Sequence, residues 1–234
     1  MESTKLGKFT VVYPNRNEFH TLKREIWGQD CYHFETNSDS PLIIDVGAHI
    51  GISLLYFKSL FSQSKILAFE PNPENISFLK ENVIINGLED IEIIPKAISK
   101  ENATKPFYID STQSHWNSNS SLIKGSWNGK ERTEAINVQC VRLDKYLAGN
   151  KVDCLKIDTE GTELQIIKSI KSVLASNVIN IFVEYHPRRD NKLRELLDLL
   201  GVNFDLEIYH EGKELKRLLE NKLLLIKGIN KNHL

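Results

Sequence analysis

From Pro41 onward the apolar positions switch between two periods. Short apolar runs ending in turn chemistry occur at 41–47 (PLIIDVG), 65–70 (KILAFE), 91–99 (IEIIPKAIS), 152–158 (VDCLKID) and 178–186 (VINIFVEYH). Such runs read as strands. Between them, 52–61, 73–87, 162–176 and 188–201 carry apolar residues at helical spacing. The helix at 73–87 opens on Pro73-Glu74 and stops at Asn86-Gly87, and the one at 188–201 is closed by Gly201. Residues 204–210 and 222–228 read as the last strands, a hairpin or an antiparallel edge pair. Repeated strand–helix–strand units predict an α/β fold: a Rossmann-like, mostly parallel seven-stranded sheet with helices on both faces. In such sheets ligands bind beyond the carboxyl ends of the strands.

Two regions depart from this rhythm. Residues 1–40 form an N-terminal extension with Trp27, Tyr32 and Phe34, expected to pack on the core. Residues 41–234 then form the main domain, with 105–140 as an inserted loop or hairpin. The stretch 110–135 is polar, rich in Ser and Asn, and carries Trp116 and Trp127. A loop this long in a compact domain is usually functional or disordered. Its flanks, 105–109 (KPFYI) and 136–141 (INVQCV), have the pattern of a paired hairpin.

Composition narrows the partners. The 234 residues carry a formal net charge of -1, so nucleic acid is not an expected partner. The three cysteines, Cys31, Cys140 and Cys154, form no Cys-x-x-Cys pair and no disulfide framework. They read as free thiols in a reducing compartment. No window reaches the roughly 18 apolar residues of a membrane span, and the N-terminus lacks a signal-peptide core. The expected location is cytoplasmic, with no membrane partner.

The notable residues fall where the strands end. The first strand runs into Asp45-Val46-Gly47-Ala48-His49-Ile50-Gly51. Gly47 permits a tight turn and close approach of a ligand, and Gly51 close packing of the following helix. A pyrophosphate loop would favour Gly-x-Gly-x-x-Gly without a carboxylate. Here the middle glycine is missing and Asp45 is present, which favours a zwitterionic sulfonium ligand over a dinucleotide. The second strand ends in Glu70, placed to hold both ribose hydroxyls of an adenosine. Pro71-Asn72-Pro73 follows and fixes the turn. Ala97 and Ile98 leave room for an adenine ring. Together these predict S-adenosylmethionine, bound by Asp45, Gly47, Ala48, His49, Gly51, Glu70, Pro71, Asn72, Ala97, Ile98 and Asp158.

DVGAHIG at 45–51, FEPNP at 69–73, LDKYL at 143–147, LKIDTEGTE at 155–163 and VEYHP at 183–187 occur in that order. This series resembles the FkbM-type methyltransferases over about Pro41 to Pro187. The resemblance implies class I methyltransferase topology, S-adenosylmethionine as donor, and usually a hydroxyl oxygen as acceptor on a small metabolite or sugar. One departure is His49, where relatives commonly carry Asn; it alters local hydrogen bonding without removing the site. The identity of the acceptor does not carry over.

Methyl transfer needs an aligned acceptor and a destination for its proton. Asp158 ends its strand beside the expected methyl position. Period-two spacing puts Glu184 and His186 on one side of the next strand. Asp158, Glu184 and His186 are therefore the expected catalytic set. Glu160, Ser120, Ser121 and Trp116 are the expected substrate contacts, Ser120-Ser121 because they resemble a segment near the acceptor in relatives. Glu163 reads equally as a charge at the helix N-terminus, and Lys156 as a strand lysine paired with a carboxylate. The catalytic trio has ligand chemistry for a divalent metal. Its spacing is not a dedicated metal motif, so the metal-free version is preferred. Competing readings are RNA or protein methylation, which predicts a basic groove, and a non-catalytic cofactor-binding module. The missing glycine and Asp45 weigh against a nicotinamide-dependent dehydrogenase. Oligomeric state is not legible.

Overall fold

The computed structural model describes residues 2–110, 120–124, 133–187 and 192–233. The chain opens with strands β1 (Glu2–Leu6) and β2 (Phe9–Tyr13), helix α1 (Arg16–Leu22) and a π-helical turn, Lys23–Gly28. The α1 start is fixed by Asn15, whose side-chain oxygen accepts from the backbone N–H groups of Asn17 and Glu18. There follow β3 (Leu42–Val46), α2 (Ile52–Leu60), β4 (Lys65–Phe69), α3 (Pro73–Ile85), β5 (Ile91–Ile94), β6 (Ala97–Ile98), β7 (Ala103–Asp110), β8 (Ser120–Ser121) and β9 (Thr133–Val141). The rest comprises α4 (Asp144–Leu147), β10 (Val152–Ile157), α5 (Glu163–Asn177), β11 (Val178–Tyr185), α6 (Leu193–Gly201), β12 (Phe204–His210), β13 (Lys213–Glu214) and β14 (Leu224–Asn230).

The main sheet has the order β13-β12-β14-β11-β10-β3-β4-β5. Strands β11, β10, β3, β4 and β5 are parallel. Strand β14 runs against both β11 and β12. The sheet thus has eight strands where seven were predicted. The additional one is β13, a two-residue edge that pairs only with β12 and is too short to leave a periodic signal. The chain leaves β3 in one direction through β4 and β5, and returns on its other side with β10. The switch point between β3 and β10 is where such folds open a ligand crevice.

The predicted strand at 91–99 is two strands in two sheets. Pro95 carries no N–H for a ladder, and Lys96 N donates to Ile94 O at 2.8 Å, which turns the chain. Past that turn β6 joins a four-stranded sheet of order β6-β9-β7-β8. There β7 and β9 pair antiparallel from Ala103↔Cys140 to Asp110↔Thr133.

Alternation along the central strands divides the interior into two cores. Ile44, Val46, Leu155 and Ile157 face one side, with Ile166 and Ile170 of α5. Ile43 and Cys154 face the other, with Phe57 of α2. The N-terminal segment completes this second core with Phe9, Val11, Phe19, Tyr32 and Phe34. Tyr32 and Phe19 are each 1% exposed. Aromatic burial on this scale is a large apolar contribution. No helix among the described residues is long and apolar enough to cross a membrane.

Candidate functional site

A cavity opens at the switch point, where small-molecule sites of such sheets form. Gly47 after β3, Glu70 after β4, Ala97 and Ile98 of β6, and Asp158 after β10 all line it. Glu70 is 4% exposed. Its carboxylate accepts from His49 N at 2.9 Å, Asn72 N at 2.8 Å and Asn75 Nδ2 at 3.3 Å. Burial pushes its pKa up to about 7, against the pull of those three donors.

Gly47 has φ +84°, and a Cβ there would lie 1.9 Å from the Asp158 carbonyl oxygen. The close neighbour that requires glycine here is the backbone of Asp158, just past β10. At Gly51, φ +91°, a Cβ would meet Leu79 of α3 at 2.6 Å, so the tight packing there is helix against helix. His49 also adopts a left-handed conformation, φ 52°, a region in which Asn, Asp and His are the favoured side chains. Its Nε2 lies 3.4 Å from Glu18 of α1. Burial holds the His49 pKa down, outweighing Glu18.

Asp45 does not reach the cavity. It is fully buried, accepts from Ser53 Oγ at 2.6 Å, and pairs with Lys156 Nζ at 3.1 Å. The expected role of Asp45 as a direct cofactor contact is corrected accordingly: its charge is committed to the sheet interior. Lys156 also lies 3.6 Å from Asp158 Oδ2 and donates to Gly47 O at 2.8 Å. Burial works against the ammonium, but Asp45, Asp158 and Glu184 outweigh it and raise its pKa. Lys156 is the residue whose importance the sequence reading understated. A single lysine in an otherwise near-apolar central strand was the available signal.

Beside the cavity lies an acidic cluster around His186. His186 Nε2 is 3.3 Å from Glu160 and 4.0 Å from Asp158, while Nδ1 is 3.2 Å from Glu163. Burial opposes protonation, but Glu160 and Glu163 together hold the His186 pKa well above its ordinary value. Glu163 Oε1 also accepts from Gly161 N at 2.8 Å and Thr159 N at 3.2 Å, so it caps the turn before α5 as well as touching the histidine. Strand β11 ends at Tyr185. Glu184 therefore stays on the pleat and accepts from the Tyr32 hydroxyl of the N-terminal segment, while His186 turns toward Glu160. Burial and Asp158 push the Glu184 pKa up to about 7.

Atoms of Asp158, Glu160 and His186 lie within 4.8 Å of one another. Glu160, expected as a substrate contact, thus sits with Asp158 and His186 in this cluster, while Glu184 is bonded to Tyr32. Ser120 lines the cavity. Ser121 is fully buried, its hydroxyl donating to Glu160 O at 2.9 Å, which fastens β8 to the turn after β10. Ala48 is buried, with its N–H on Phe69 O at 3.0 Å. Asn72 caps α3 by accepting from Glu74 N. Pro71 and His49 line the cavity, as do Asn75, Lys96, Phe107 and Thr159, which the sequence reading did not name. Trp116 and Trp127 lie outside the described residues.

This geometry can be set beside known proteins. Residues 45–215 match the model of the methyltransferase FkbM domain. The chain belongs to the FkbM methyltransferase family. It is 27% identical over 214 residues to methyltransferase sdnD of Sordaria araneosa, covering 79% of this chain and 80% of that protein. It is 25% identical over 218 residues to the 31-O-demethyl-FK506 methyltransferase FkbM of Streptomyces tacrolimicus, covering 82% and 83%. The solved methyltransferase FkbM from Methylobacillus flagellatus KT superposes with a TM-score of 0.56 at 14% identity. That match covers 88% of this chain and 47% of the other, so this chain spans about half of that structure's length. The fold is the Rossmann-like class I methyltransferase fold.

Proposed function

We propose that this family member transfers a methyl group from S-adenosylmethionine to a hydroxyl oxygen of a small molecule or sugar. The observation that carries the reading is the buried Glu70 carboxylate lining a cavity that Asp158 also lines. The cavity fits the cofactor chemically. Glu70 would hold the ribose hydroxyls; Ala97, Ile98 and Phe107 offer an apolar wall to the adenine. The surrounding carboxylates favour a cation. When bound, the cofactor supplies an electrophilic methyl on a sulfonium. The chain's task is to align the acceptor and take its proton. We assign proton acceptance to the carboxylates of Asp158, Glu160 and Glu184. His186, facing Glu160 and Glu163, is held as imidazolium and orients them. A cluster of carboxylate oxygens beside the cavity, placed to receive a hydroxyl proton, supports oxygen as acceptor. The relative named as a 31-O-demethyl-FK506 methyltransferase supports it further. A divalent metal held by Asp158, Glu160 and His186 is the less favoured version. The acidic surroundings and net charge of -1 weigh against nucleic acid. Three free thiols suit a reducing compartment, and we place the enzyme in the cytoplasm.

Calorimetry with S-adenosylhomocysteine tests the cofactor. Glu70→Ala should weaken binding by roughly 1.5–3 kcal/mol, the scale of charge-assisted hydrogen bonds. Tighter binding of NADH than of either adenosyl ligand would sink the reading.

The same carboxylate gives binding a pH dependence. Its pKa is raised to about 7, so below that pH Glu70 carries a proton and loses acceptor strength toward ribose hydroxyls. Affinity for S-adenosylhomocysteine should therefore rise with pH and level off above about 7. A flat profile, or one rising toward acid, would exclude Glu70 as the ribose acceptor.

A further inference from the structure

The turn after β3 is tied to the N-terminal segment, which lies outside the family-matched span 45–215. The ties reach His49, Ile50 and Ile52 in succession. Glu18 of α1 is 1% exposed, and its carboxylate lies 3.4 Å from His49 Nε2. Asn82 of α3 accepts from Val12 N at 2.7 Å and donates to Val12 O at 3.0 Å and to Ile50 O at 2.9 Å, so it bridges β2 to the turn. Trp27 Nε1 donates to Ile52 O at 3.4 Å, at the start of α2.

The tie at His49 bears on the cofactor cavity itself. His49 lines that cavity, and its backbone N–H donates to Glu70 at 2.9 Å. Its backbone is left-handed, φ 52°, a conformation that is costly for a residue with a Cβ and persists where the surroundings hold it. The Asn82 bridge holds the next residue; Glu18 meets the His49 side chain. Burial keeps the ring neutral against the pull of Glu18 from α1 and of Asp158 past β10, while Lys156 of β10 acts with burial. A neutral imidazole carries one ring proton, and the Glu18 carboxylate favours it on Nε2, the nitrogen that faces it. We propose that Glu18 is a positioning residue of the cofactor site. Through His49 it holds the turn in the conformation that keeps the His49 N–H on Glu70, so cofactor affinity depends on a helix that precedes the family-matched domain. This rests on the methyltransferase reading above, in which Glu70 holds the ribose.

The test uses the whole chain and S-adenosylhomocysteine. Calorimetry should show Glu18→Gln weakening binding about fivefold, the scale of one polar contact. His49→Asn tolerates the left-handed backbone but is too short to meet Glu18, and should weaken binding by a similar factor. In that background Glu18→Gln should add less than about twofold, because the contact it breaks is already gone. Glu18→Asp, which keeps the charge and draws it back by one methylene, should follow the same pattern and replaces Glu18→Gln if that variant does not fold. Lys5→Ala, at an exposed position of β1, should bind like the parent. NMR of the histidine rings, with His49 assigned through His49→Asn, should place the ring proton on Nε2 in the parent and show that preference weakened in the Glu18 variant. Unchanged affinity in both Glu18 variants overturns the proposal. So does an equal loss with and without His49→Asn, which marks general destabilisation, or a parent ring protonated on Nδ1. Failure of the parent to bind S-adenosylhomocysteine would instead remove the methyltransferase reading on which the inference stands.

Discussion

Replacing Lys156 by methionine should destabilise the fold by about 3–5 kcal/mol, the scale for removing one partner of a buried ion pair. The reason is Asp45. Its carboxylate is fully buried and 3.1 Å from the Lys156 ammonium; without that charge it faces an apolar interior with Ser53 as its remaining close donor. Methionine keeps most of the side-chain volume, so the loss reports charge rather than a void. The folded pKa of Lys156 is raised above its ordinary 10.5. Its contribution is therefore fully present below that value and is lost only as pH rises through the folded value. Urea unfolding at neutral pH measures the effect as a shift in midpoint at constant slope. Asp45→Asn combined with Lys156→Met should recover a large part of the loss, because the double variant removes the fully buried carboxylate that the single variant leaves unpaired. A single-variant cost under about 1 kcal/mol would show that the pair does not carry the central strands.

That pair also marks the limit of reading this chain from its sequence. The strand ends carrying Gly47, Glu70 and Asp158 were legible, because each apolar run stops in turn chemistry and the runs recur in order. The destination of Asp45 was not. It depends on the register in which β10 pairs with β3, which sets Lys156 opposite Asp45; register is a tertiary property that period two leaves open. The reasons for Gly47 and Gly51 were hidden for a similar cause, since the atoms they avoid belong to Asp158 and Leu79. The period-two argument for Glu184 and His186 holds only inside a strand. Strand β11 stops at Tyr185, so His186 leaves the pleat and meets Glu160 and Glu163. Tyr32 was expected to pack on the core with the rest of its extension, but its hydrogen bond to Glu184 depends on a tertiary contact 152 residues away.

Asp158→Asn and His186→Ala should each lower turnover by roughly 10²-fold or more, the usual scale for losing an acid–base group or its orienting partner. The two act differently. Asp158 lines the cofactor cavity and lies 3.6 Å from Lys156, so the amide removes a charge at the junction of cofactor and acceptor. His186 lies back from that junction, with Glu160 on one ring nitrogen and Glu163 on the other. Its loss leaves two carboxylates without their shared counter-ion and frees the turn that carries Asp158. Cofactor affinity should stay within a few-fold in both variants, because Glu70 and the loop after β3 remain intact; calorimetry with S-adenosylhomocysteine checks this separately from turnover. Chelation then distinguishes the two versions of the site. In the metal-free version EDTA leaves activity unchanged, and the carboxylates take the acceptor's proton themselves. In the metal version Asp158, Glu160 and His186 are ligands, within 4.8 Å of one another, so activity vanishes with EDTA and returns with a divalent ion. Because an imidazole must be neutral to ligate, that version requires His186 to give up the proton that Glu160 and Glu163 now stabilise, which is why the metal-free version is preferred. Unchanged turnover in both folded variants would move acceptor activation away from this cluster altogether.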